Sequence, residues 1–61
     1  MNSKTPLKGS SVVMPEPTKN DVWEIGGWQG RVVDIRENGN LVVKDVDGDC
    51  FEVEPQRVEV V

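Results

Sequence analysis

The sequence predicts an all-β fold, a small five-stranded barrel behind a disordered N-terminal tail. Three observations predict it. Short runs of β-branched residues recur from residue 21 onward, Asn38-Gly39 and Asp47-Gly48 punctuate them at hairpin spacing, and no segment keeps apolar residues at i, i+3, i+4 over the roughly ten residues that a helix needs.

Residues 1–19 hold Pro6, Pro15 and Pro17 among small polar residues with little apolar periodicity. Such a segment cannot offset its own ordering entropy, so it is read as a flexible tail. Its exception is Val12-Val13-Met14, which ends at Pro15 and suits a short edge strand over residues 12–14, since a proline at a strand's end forfeits no central hydrogen bond.

Residues 20–61 form the barrel. Val22-Trp23-Glu24-Ile25 opens a first strand, and Gly26-Gly27 lets the chain bend after it. Residues 30–36 make a second strand, rich in Val32, Val33 and Ile35. Asn38-Gly39 then predicts a type I′ reversal into a third strand over residues 41–46, and Asp47-Gly48 repeats the signal before a fourth over residues 49–54. In that fourth strand Phe51 and Val53 alternate with Glu52 and Glu54, so one face is buried and the other wet. Pro55-Gln56-Arg57 predicts a 3₁₀ turn, and residues 58–61 close the barrel as a fifth strand. A flat meander would leave its edges exposed to aggregation. Curling it covers them and gathers Trp23, Val33, Ile35, Leu41, Val43, Phe51, Val53, Val58 and Val60 into one core.

Charge divides the chain at the same place as composition. The net charge is −4, but residues 20–61 carry ten acidic against four basic residues, so the folded part is the more acidic. That balance disfavours a protein whose affinity comes from neutralising nucleic-acid phosphates. A single cysteine, Cys50, cannot close an internal disulfide, which fits a reducing, cytoplasmic setting. Val12-Val13-Met14 is too short for the apolar core of a secretion signal, and no apolar run approaches the ~18 residues of a membrane span. There is no histidine, so a Cys–His nucleophile cannot form within the chain. No catalytic residue, cofactor or metal is expected.

Several patterns invite a functional reading. Trp23 and Trp28 flank the two glycines, and with Asp21, Glu24 and Glu52 they form the expected ligand face, aromatic and acidic, for a protein or peptide partner of basic character. The competing reading places Trp23 in the core. Asp45, Asp47 and Asp49 have the spacing that begins an EF-hand calcium loop, but Cys50 stands where that loop needs glycine and Gln56 where it needs a bidentate glutamate; hairpin solubility explains the aspartates more simply. Arg31, Arg36 and Lys44 lie where one barrel face could touch RNA phosphates, among carboxylates that oppose it.

The run Gly30-Arg31-Val32-Val33-Asp34-Ile35, a hairpin, Leu41-Val42-Val43-Lys44-Asp45, a second turn, then Phe51-Glu52-Val53 and a short turn into a last strand resembles SH3-like small barrels of the KOW and Tudor kind across residues 21–61. That resemblance implies a binding module for peptides, modified basic side chains or RNA. Val12-Val13-Met14-Pro15 and Trp28-Gln29-Gly30 are similar to motifs of the plasmid-borne type II dihydrofolate reductases, which implies a homo-oligomer related to those enzymes. The departures fall at their functional positions. Phe51-Glu52-Val53-Glu54 stands where that family has Val-Gln-Ile-Tyr lining a central pore, and Val22 stands where it has a pore lysine. Carboxylates there would repel dianionic cofactor and substrate, so the expected function is an interaction module without reductase activity.

Overall fold

The computed structural model describes residues 6–61. Its strands are β1 (Ser11–Val13), β2 (Gln29–Ile35), β3 (Leu41–Lys44), β4 (Cys50–Val53) and β5 (Glu59–Val60), with a 3₁₀ turn at Pro55–Arg57 where the proline predicts one. All pair antiparallel in one sheet, in the order β4-β3-β2-β1-β5. No helix among the described residues is long and apolar enough to cross a membrane.

Both hairpins form where the glycines predict them, but each is one residue wider than a type I′ turn. The Gly39 amide donates to the Arg36 carbonyl at 2.9 Å and the Arg36 amide to the Asn40 carbonyl at 2.7 Å. In the β3–β4 hairpin the Gly48 amide donates to the Asp45 carbonyl at 3.1 Å and the Asp45 amide to the Asp49 carbonyl at 2.9 Å. Only the glycines are left-handed, with φ of 92° and 93°. Each turn is therefore of type I, followed by a glycine bulge. Side chains hold the turns: Asn38 Oδ1 accepts from the Asn40 amide at 2.9 Å, and Asp45 Oδ1 accepts from the amides of Asp47 and Asp49, both at 2.9 Å.

The N-terminal segment departs most from expectation. Rather than a tail with an edge strand, residues 9–14 run through the sheet between β2 and β5. Val12 pairs with Gly30 on one side and Val60 on the other. Beyond the formal strand, the Gly9 amide donates to the Val32 carbonyl, the Val32 amide to the Ser10 carbonyl, and the Met14 amide to the Trp28 carbonyl. Val12 and Met14 are 0% and 1% exposed, at the centre of the core. A three-residue run is too short to show its alternation in sequence, and its partners are remote, so composition alone misreads it. Residues 1–5 of the expected tail lie outside the described residues.

Two further expectations are corrected. Residues 22–25 are irregular rather than a strand, although Trp23 is buried as predicted for a core residue. The inward phase of β2 runs through Gly30 and Val32 and, after a bulge between Val32 and Asp34, resumes at Ile35, which pairs with the buried Leu41 but ends the strand and is 37% exposed; Val33, within the bulge, is half-buried rather than in the core. A one-residue slip exchanges the faces of a strand. The core is Val12, Met14, Trp23, Val32, Leu41, Val43 and Val53, with Trp28, Phe51 and Val58 packed against it and Val60 half exposed.

Among the described residues no ladder joins β4 to β5, so hydrogen bonds do not close the expected barrel. The sheet is nevertheless curled. Four flat interstrand spacings need about 19 Å, while the chain from Val53 to Glu59, wound partly into a 3₁₀ turn, reaches about 17 Å.

Two substitutions test this packing in urea unfolding. Met14→Ala should cost about 2–5 kcal/mol, the range for truncating a buried side chain, whereas a dangling tail would lose almost nothing. A Cβ on Gly30 would stand 2.5 Å from Val43 Cγ1 and 2.9 Å from both the Trp28 ring and the Lys44 carbonyl. Gly30→Ala should therefore cost about 1–3 kcal/mol through overpacking; a neutral effect would mean that β2 and β3 do not pack in this way.

Candidate functional site: an aromatic groove with an acidic rim

Three aromatic rings lie together on the inner side of the sheet. Phe51 is on β4, Trp28 immediately precedes β2, and Trp23 comes from the irregular segment that crosses over the core. Phe51 meets both indoles edge-to-face, with ring centroids 6.1 Å from Trp23 and 5.8 Å from Trp28. That geometry sets the positive edge of one ring against the negative face of another. Trp23 Nε1 donates to the Pro15 carbonyl at 3.0 Å, so the buried indole has its partner and fixes the start of the crossing segment.

Above these rings is an open groove of about 530 Å³. Trp28 and Phe51 are half-buried in its floor, and Val22, Ile25 and Val46 stand around it, 73%, 72% and 95% exposed. Glu24, Asp45 and Asp47 line the same groove. The rim is thus apolar and acidic together, around an aromatic base.

An ion pair holds the crossing segment from the other side. Arg57 Nη1 and Nη2 donate to the two carboxylate oxygens of Asp21 at 3.1 and 2.8 Å. The Thr18 amide donates to Asp21 Oδ2 at 2.7 Å, and Thr18 Oγ1 lies 3.2 Å from the same oxygen. The Arg57 guanidinium, then the Thr18 amide, hold the Asp21 carboxyl far below the ordinary carboxylate range; Asp21 in turn raises the pKa of Arg57. The guanidinium also lies 5.6 Å from the Trp23 ring centroid. One arginine so ties the 3₁₀ turn to both the crossing segment and the aromatic cluster.

The expected ligand face divides in two. Trp23, Trp28 and Glu24 meet at the groove, Trp23 mostly as its buried wall. Asp21 is committed to Arg57. Glu52 points to the opposite side of β4 from Phe51 and accepts from Asn40 Nδ2 at 2.9 Å, so it lies apart from the tryptophans. Phe51, Val22, Ile25 and Val46 join the site without having been expected there. Val46 carried a signal in the sequence, a β-branched apolar residue at a turn between two aspartates, where polar residues are usual.

Asp45 caps its own turn with one oxygen, which accounts for part of the aspartate spacing, and among the described residues no group of three or more His, Cys, Asp or Glu side chains converges to hold a metal. Cys50 is exposed on β4 opposite Lys44. Comparison of the chain with protein-family models, curated proteins and solved structures finds no match.

The depressed pKa of Asp21 gives the clamp a pH signature. Its stabilising effect is complete above the unfolded carboxylate value of about 3.9 and is lost as pH falls through the lower folded-state value. Asp21→Asn should accordingly be less stable than wild type near neutrality, with the gap in urea midpoint narrowing below about pH 4. A gap that stays constant into strong acid would show that the carboxylate charge contributes nothing.

Proposed function

We propose that the chain is an interaction module that binds an extended protein or peptide segment in the Trp28 groove. The observation that carries this reading is the combination of Val22, Ile25 and Val46, three large apolar side chains each more than 70% exposed, around an aromatic floor. Apolar side chains gathered around a concave surface at such exposure are a feature of interaction sites. Scattered singly they would need no explanation. Edge-to-face rings give a rigid floor that loses little entropy on binding, the property that makes aromatics dominate interface energetics.

The rim determines the kind of partner. Glu24, Asp45 and Asp47 attract a segment carrying lysine or arginine, while the floor takes an apolar side chain beside it. The resemblance of residues 21–61 to SH3-like modules supports the same reading.

An array of basic-apolar peptides, probed at low ionic strength, tests it. Trp28→Ala should weaken the best binders at least tenfold, about 1.4 kcal/mol, and Val46→Lys, which replaces an apolar rim side chain by a cation that repels a basic segment, should do the same with the fold unchanged by circular dichroism. Silence across the array, or equal binding by wild type and both variants, would remove the proposal.

A further inference from the structure

The outer face of the sheet carries a second, chemically opposite feature. The register sets Lys44, Arg31 and Ser11 directly beside one another across β3, β2 and β1. Neighbours in such a row have Cα atoms roughly 4.5–5.5 Å apart. Lys44 and Arg31 are both exposed, and the ion pair found among the described residues is the one between Asp21 and Arg57, remote from this row. Like charges directly opposite each other destabilise a sheet. In a chain with eleven acidic residues, a carboxylate facing either cation would have been an easy alternative.

Gln29 projects from β2 on the same side as Arg31, and the four side chains border a shallow groove of about 380 Å³ over Gly30. Its donors are a guanidinium, an ammonium, a hydroxyl and a carboxamide. Asp45 is the carboxylate at its border, with Oδ1 already accepting two backbone amides. We infer that this row binds a single phosphate group, free or esterified, whose anionic tetrahedral head offsets both cations while its oxygens accept from guanidinium, ammonium and hydroxyl.

The surroundings limit the ligand to one phosphate group. The next outward row on the same face is Asp34, Val42 and Glu52, so a nucleic-acid strand crossing the sheet would pass from two cations onto two carboxylates. A single head group, free or carried on a phosphorylated side chain, meets only the basic row.

Titration of the ¹⁵N-labelled full chain with inorganic phosphate, and separately with an O-phosphoserine peptide, both at constant ionic strength, tests the site. Saturable amide shifts clustered at Ser11, Arg31 and Lys44 are expected. The double variant Arg31→Gln/Lys44→Gln, its fold checked in the same spectra, should lose at least tenfold in affinity, while Lys19→Gln should titrate like wild type. Tighter binding of the phosphopeptide than of inorganic phosphate assigns the ligand to a protein, and equal binding assigns it to a free phosphate. Shifts that do not saturate, that chloride reproduces, or that survive the double variant overturn the proposal.

Discussion

The insertion of residues 9–14 between β2 and β5 is the constraint on which the rest of the fold depends. Among the described residues strand β5 pairs only with β1, so without that insertion the last strand has no ladder there, and the sheet reduces to the β2–β3–β4 meander. Val12 and Met14 also supply two of the most deeply buried side chains of the core. A chain this short buries only about 60% of its unfolded surface, so losing two such residues removes a large part of what opposes conformational entropy.

The same constraint shapes the groove. Once β1 is in place, Pro15 presents its carbonyl to Trp23 Nε1, and the Met14 carbonyl accepts from the Gly27 amide, so both ends of the segment that crosses the core are pinned to β1. Gly26 lies within this segment against the backbone of Glu16, where a Cβ would come within 2.5 Å. Arg57, arriving on the 3₁₀ turn between β4 and β5, then fastens the segment through Asp21 and Trp23. The exposed side chains of Val22 and Ile25 thus stand on a loop held at several points, and a groove bordered by a restrained loop loses less order on binding than one bordered by a free loop.

The legible parts of the sequence were those with local chemistry. Glycine at residues 39 and 48, the alternation of Phe51 and Val53 with glutamates, and Pro55 each act within a few residues, and the structure has the hairpins, the inward face of β4 and the 3₁₀ turn at those places. What was not legible depends on distant partners. The role of Ser11–Val13 is set by Gly30 and Val60, and the phase of β2 by a bulge that no residue type announces. At the groove, Trp23, Trp28 and Glu24 followed from their spacing around the glycines. Asp21 and Glu52 looked equivalent to Glu24 in composition, and only their partners Arg57 and Asn40 set them apart.

Native-state hydrogen exchange tests the central constraint most directly. The Met14, Val32 and Val61 amides donate into or out of the inserted segment, to Trp28, Ser10 and Ser11 respectively. With β1 built into the sheet, all three should be protected to the same free energy as the Val43 amide in β3, opening only when the whole domain unfolds. Exchange of these three at unprotected rates, while Val43 stays protected, would show that the meander stands alone and that β1 is not part of the fold.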